Sequence, residues 1–438
     1  MYTKQILFFG IFAFLVLQAG QVRAAQLHEA DDLISFSQHR LSRDPDNFAH
    51  YNALAFAYMQ KARETGDVSY YDRAEDAAKK SLALVPRHTT AATATKYLAA
   101  IHLAKHRFDH ARRGAQQALR LDASDPSAYA IIGDAALELG EYENAAEAYK
   151  KLQGHSRALA VDERVAYLHF LRGDVQRAIK LMRHAVELGE TAKQYREHVA
   201  WSQTQLGDLY FATGDFENGS TTYEAALATY PKYHRAQAGL ARVRAAQGHA
   251  LEAIHLYQQA IATIPLPEYV SALGDLYAAL RQPEEAQKQY ALIEYMATLS
   301  ERNQTLYNRE LALFYADHDQ QLTKALALAQ KELEVRRDIY TYDVLAWALY
   351  KNNKLPEAQE AMQRALRLGT QDARLFFHAG MIYQRLGKRV EAQTYLQRAL
   401  RLNPRFHPLQ ADLAMLTLAT LRGKPAASAA QEKNNDRF

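Results

Sequence analysis

Histidines and aspartates are the residues of this chain that could do chemistry, because both recur at orderly spacing. Seventeen histidines occur in 438 residues. His102, His106 and His110 stand four apart, a spacing that on one unbroken helix would line a single face and could hold a divalent cation. Phe108 and Asp109 interrupt them with residues that resemble an inter-helix turn. The spacing therefore favours a solvated turn over a metal site. Asp134, Asp208 and Asp275 each follow a glycine and so occupy one position of a recurring pattern. Carboxylates placed this way could meet Lys or Arg on a partner, or pair with a neighbouring Arg or Lys of the same chain. The chain contains no HExxH pair, no GxSxG elbow, no GxxxxGK[ST] loop and no dinucleotide-binding glycine pattern. The expectation is a chain with no catalytic, cofactor-binding or metal-binding residues, and not an enzyme.

The elements that must position these groups are helices in a long repeat. Small residues recur at Ala55, Ala99, Gly133, Ala166, Gly207, Ala241, Gly274, Ala312, Ala346 and Gly380. A second, parallel series runs Ala74, Ala111, Ala145, Ala178, Gly219, Ala253, Ala286, Ala325, Ala358 and Ala392. Two series with nearly the same period predict pairs of helices in which small residues let the axes approach closely. Large tyrosines, among them Tyr149, Tyr210, Tyr223, Tyr257 and Tyr290, fill the space beside them. Pro231, Pro265 and Pro404 end second helices, since proline cannot continue the hydrogen-bond ladder. Asp125 is a plausible cap ahead of Pro126.

The clearest copy is Leu206 to Pro231, LGDLYFATGDFENGSTTYEAALATYP. Its small, large and proline positions resemble the tetratricopeptide repeat, whose pattern W-x2-L-G-x2-Y, A-x3-F, P spans about 34 residues. Gln203 stands where that family often has Trp, and Gly219 where it has Ala. The resemblance implies an all-α, right-handed superhelical solenoid of about ten helix-turn-helix repeats over residues 44–406. It also implies a concave groove lined by Asp134, Tyr167, Phe170, Trp201, Asp208, Phe211, Asp275, Asp343, Trp347, Tyr350, Phe377 and Arg385. Such an apolar, aromatic and acidic lining suits a helix or extended peptide carrying Lys or Arg. Basic groove candidates are few, namely Lys96, Arg235, Arg242 and Arg309, which is unlike the clamp that holds chaperone C-terminal carboxylates.

The flanks complete the organisation. Lys4, the apolar run Ile6 to Leu17 and the small residues of Val22-Arg23-Ala24 read as an export signal over 1–24, cleaved before Ala25. The run is shorter than the roughly 20 residues that span a bilayer. Residues 25–43 are expected as an N-terminal capping helix, 407–422 as a C-terminal capping helix, and 423–438 as a disordered tail. Extra polar residues at Thr65–Tyr71, Glu187–Val199 and Tyr295–Gln304 predict longer helices or projecting loops. The net charge is +4, of which Lys4 and Arg23 supply two, so 4 − 2 leaves +2 beyond the signal. That balance gives no case for nucleic acid. No cysteine is present, which excludes disulfides and a lipid-anchored Cys. The resulting expectation is a periplasmic or secreted scaffold, not integral to the membrane after cleavage. Its partners would be proteins of an envelope assembly, secretion or export complex. An unrecognised enzyme or metal-binding protein, or a self-assembling repeat, stands as the alternative.

Overall fold

The computed structural model describes residues 30–85, 89–155, 159–192, 195–302 and 308–423. The expected signal (1–24) and all of the tail beyond Gly423 lie outside the described residues. Among the described residues all 22 regular elements are α-helices. Helix α1 (Ala30–Arg43) precedes the first hairpin, α2 (Phe48–Thr65) with α3 (Ser69–Leu84). Next come α4 (Ala91–Ala104) with α5 (Phe108–Leu121), and α6 (Ser127–Glu138) with α7 (Tyr142–His155). They are followed by α8 (Leu159–Leu171) with α9 (Val175–Thr191), and α10 (Arg196–Ala212) with α11 (Phe216–Thr229). Then α12 (His234–Ala246) pairs with α13 (Ala250–Thr263), and α14 (Pro267–Ala279) with α15 (Pro283–Arg302). The last hairpins are α16 (Asn308–Asp317) with α17 (Leu322–Val335), α18 (Ile339–Lys351) with α19 (Leu355–Ala365), and α20 (Ala373–Arg385) with α21 (Arg389–Leu402). Helix α22 (Gln410–Leu421) follows them. The described residues thus form the ten helix-turn-helix hairpins that the repeat predicts.

The two small-residue series explain why the hairpins close. Every alanine of both series is buried, nearly all of them completely. Where the first helix carries glycine, the reason is a large side chain sixteen residues on, Leu396 for Gly380 and a tyrosine ring for the other three. A Cβ at Gly133 would lie 2.3 Å from Tyr149, one at Gly207 2.7 Å from Tyr223, and one at Gly274 2.5 Å from Tyr290. Tyr223 is also held from the next repeat, where a Cβ at Gly239 would come within 2.2 Å of its ring. Caps are local. Asn47 Oδ1 accepts from the amides of Ala49 and His50, and Asp372 Oδ1 accepts from Arg374 and Leu375. Asp125 Oδ1 accepts from the Ser127 amide at 2.9 Å at the start of α6.

The insertions show themselves as added helical turns. Helix α2 has 18 residues, α9 and α10 have 17 each, and α15 has 20, against 14 in α4 or α13. Extra polar residues thus extend helices that already exist, because extension adds a backbone hydrogen bond per residue without a new nucleus. Helix α22 packs on α21 through Ala411, Ala414 and Leu418, while Leu413, Met415 and Leu416 stay exposed. No described helix is long and apolar enough to cross a membrane.

The chain divides into two compact units. The first takes in the described residues up to Leu168, then Lys180–Ser202 and Val335–Asp338. The second comprises His169–Ile179, Gln203–Glu334 and the chain from Ile339 onward. Each unit is tied by contacts between distant parts of the sequence. In the first, Arg63 of α2 donates to Glu197 of α10, and Arg336 forms an ion pair with Glu138 at 2.6 Å. In the second, Asn403 Nδ2 donates to the Phe211 carbonyl at 2.7 Å, and the Thr370 hydroxyl donates to the Leu171 carbonyl. Gly173, with φ of 78°, lies so close to Gly369 that a Cβ would meet its carbonyl oxygen at 2.5 Å.

Candidate functional site

Three of the predicted site residues share one construction. Asp134, Asp208 and Asp275 each accept a hydrogen bond from the tyrosine that packs on the preceding glycine: Tyr149 at 2.8 Å, Tyr223 at 2.6 Å and Tyr290 at 2.9 Å. Each carboxylate then meets a base from a later repeat. Arg164 Nε and Nη2 reach Asp134 at 2.9 and 2.8 Å, Arg242 Nη2 reaches Asp208 at 2.5 Å, and His318 Nε2 reaches Asp275 at 2.7 Å. These are inter-repeat clamps, the second of the two roles open to the aspartates from sequence. The first lies in the first unit and the other two in the second.

Burial sets their electrostatics. Asp134 and Arg164 are 1% and 0% exposed, and burial pushes the Asp134 carboxyl up to about 6 against the pull of Arg164. At Asp275 burial acts in the same direction, but the hydrogen bonds from His318 and His407 outweigh it and hold the carboxyl well below the usual range. At Arg242 burial opposes the charge, and Tyr223 and Asp208 restore it, raising the guanidinium above its ordinary value. The Arg242 guanidinium also lies over the Phe211 ring, 4.2 Å from its centroid.

Three of the seven predicted aromatic residues, Trp347, Tyr350 and Phe377, do converge, inside the second unit. Trp347 stacks on His378 at 4.2 Å and on Tyr350 at 4.8 Å, with Phe377 at 5.8 Å. Asp343 joins them through His378 Nδ1, 2.8 Å away, and Arg385 hydrogen-bonds to Tyr350. Trp347, Tyr350, Phe377 and Asp343 are all buried, as are Phe211 and Asp275 of this unit and Trp201 of the first. Phe170 is buried too, Tyr167 and Asp208 are half-buried, and Arg385 is exposed. Part of the cover over the aromatic set is the chain itself. Phe406 lies 5.7 Å from Phe377, and Gln410 Nε2 and Trp347 Nε1 both donate to Asp317 Oδ1, at 2.8 and 2.7 Å.

Two polar groups in the first unit escaped sequence reasoning. His198 Nε2 lies 3.1 Å from both oxygens of Glu163, which also accepts from Ser202, and all three residues are buried. Glu197 accepts from Arg63 and Gln60 beside Glu64, whose carboxyl is pushed up to about 7 by burial and then by Glu197. Partners 35 and 134 residues apart in sequence leave no motif. Because Glu64 binds its proton more tightly folded than unfolded, its contribution to stability falls as pH rises from the ordinary carboxylate range to about 7. Glu64→Gln is expected to raise stability near neutral pH by about 1–2 kcal/mol and to flatten that slope, read by denaturant melts at several pH values. An unchanged slope would remove Glu64 from this account.

The histidine trio is split by the turn between α4 and α5. His102 and His110 rings lie 5.6 Å apart, while His106, at φ 56°, stacks on Phe108. Among the described residues no group of three His, Cys, Asp or Glu is placed to hold a metal ion.

Comparison with known proteins bears on the repeats. Tetratricopeptide-repeat models match residues 98–162, 204–266 and 373–406. A human protein O-mannosyl-transferase, TMTC1, is 31% identical over 229 residues, which is 50% of this chain and 25% of that protein. The chain thus spans a quarter of the length of this relative. Among solved structures, the human IFIT1 dimer with m7Gppp-AAAA is 16% identical at a TM-score of 0.49, covering 78% of this chain and 76% of that one. The APC/C hetero-tetramer Cut9-Hcn1 is 15% identical at a TM-score of 0.32, covering 90% and 93%.

Proposed function

We propose that this chain, which carries tetratricopeptide repeats at the matched segments, is a non-enzymatic scaffold of the bacterial cell envelope that binds another protein. The repeat itself carries this reading. Tetratricopeptide repeats generally mediate protein–protein interaction, and matched segments occur early, in the middle and late in the array. Support for export comes from Lys4, the apolar run Ile6 to Leu17 and the small residues before Ala25. The partner would be a peptide or helix from an envelope assembly, secretion or export complex, docking on the face that includes Trp347, Tyr350 and Phe377. Since those rings are buried, docking there requires the covering segment to move.

The test is a pull-down from crosslinked cells of the native source, with the chain tagged after Phe438, read by mass spectrometry. One or two envelope proteins recovered in near-equal amount support the scaffold reading. Recovery of the bait alone as a multimer overturns it in favour of self-assembly, and a clean monomeric bait overturns it in favour of a ligand-binding or catalytic role.

A further inference from the structure

We propose that Asp275, His318 and His407 form a pH-sensitive clasp that fastens the Asn403–Gln410 segment over the aromatic face of the second unit. The geometry at His318 fixes its charge. Its Nδ1 faces the Phe314 carbonyl oxygen at 2.7 Å and its Nε2 faces Asp275 Oδ1 at 2.7 Å. Both neighbours only accept, so both ring nitrogens must donate, and only the imidazolium can do that. His407 is the reverse. Its Nδ1 accepts from the amides of Leu409 and Gln410, capping α22, so its hydrogen sits on Nε2, which points at Asp275 Oδ2 from 3.3 Å. One carboxylate thereby joins α14, the end of α16 and the start of α22.

The same segment is seated at three further points. Asn403 donates to Phe211, Phe406 lies against Phe377, and Gln410 shares Asp317 with Trp347. A stretch of turns from the chain's own sequence therefore sits on the residues that a partner peptide would use. It is held mainly by polar contacts, which a change of one charge can loosen.

Burial opposes the His318 charge, but the hydrogen bond and charge of Asp275 outweigh it and raise the imidazole above its ordinary value. The clasp is accordingly complete below the ordinary histidine range and is lost as pH rises through the raised value. The other groups facing it are Tyr290 from α15, Tyr257 from α13 and Asp317 beside His318. Burial lifts Tyr257 to about 12 and raises Tyr290 as well, so both stay protonated while His318 titrates. Asp275 stays ionised far into acid, so acid does not open the clasp until well below the usual carboxylate range.

The gating role rests on the scaffold reading above, whereas the clasp does not, and its test needs no partner. Hydrogen exchange of the full chain is followed by mass spectrometry from about pH 6 to about pH 9, corrected for intrinsic exchange. Amides of residues 403–421 should lose roughly fivefold in protection relative to α12 and α13 as pH rises. His318→Gln should show the loosened state throughout, without the pH step. NMR of the His318 ring, assigned by its absence in that variant, should titrate above the ordinary histidine range with the same midpoint. Flat exchange at 403–421 in the native chain, a pH step retained in His318→Gln, or His318 titrating at or below the ordinary range would each overturn the clasp.

Discussion

Replacing Asp134 by alanine is expected to cost the first unit about 3–5 kcal/mol, because it strands a buried guanidinium. Arg164 is fully buried, and two of its nitrogens are spent on Asp134, with Nη1 on the Ala160 carbonyl at 2.7 Å. Removing the carboxylate takes away the counter-ion that Nε and Nη2 both bond, and leaves the Tyr149 hydroxyl without its acceptor. Water cannot replace them cheaply in a layer closed by Gly133 and Tyr149. The converse follows from the same desolvation argument. Changing all three polar partners to apolar ones, Asp134→Leu with Arg164→Met and Tyr149→Phe, should come within about 1–2 kcal/mol of the native chain. The rise of the Asp134 carboxyl to about 6 points the same way, since it marks a pair whose burial is costly. Denaturant melts, with hydrogen exchange over residues 127–171 to localise the change, would measure both variants. A single Asp134→Ala loss under about 1 kcal/mol would mean that water reaches the pair.

Trp347→Ala is expected to cost the second unit about 3–5 kcal/mol, the range for deleting a buried large aromatic side chain. The ring is 3% exposed, sandwiched between Tyr350 and His378, and its indole nitrogen donates to Asp317. Trp347→Phe, which keeps an aromatic face but loses the donor, should cost less, about 1–2 kcal/mol. Thermal melts of the two variants separate packing from hydrogen bonding, and equal losses would contradict this division. There is a consequence for mapping a partner surface. Changing Trp347 and Tyr350 together to alanine would damage the fold before it tested binding. Arg385→Ala removes an exposed side chain whose described contacts are to Tyr350 and, at 3.4 Å, Asn353, so it probes the same face at little cost in stability.

What could be read in the linear order is whatever repeats with a fixed period. Paired small residues predict close helix pairs, because helix approach depends on residue size at positions the sequence shows directly. Ten hairpins follow from that, whereas the sequence left the extra polar residues open between longer helices and projecting loops. Even the Tyr149, Tyr223 and Tyr290 hydroxyls on Asp134, Asp208 and Asp275 recur at one offset of 15 residues, a regularity the small-residue series alone left unmarked. The bases that complete those clamps come 30, 34 and 43 residues later, so no common spacing reveals them. The fate of the aromatic residues was decided only in three dimensions. Trp347, Phe377 and Phe211 carry the pattern of groove lining, yet they are buried where Asn403, Phe406 and Gln410 fold back upon them. Periodicity records which face of a helix is apolar, because that face recurs with every turn. It does not record what covers the face, because in the second unit the cover is a non-repeating segment joined to Phe211 by a contact spanning 192 residues.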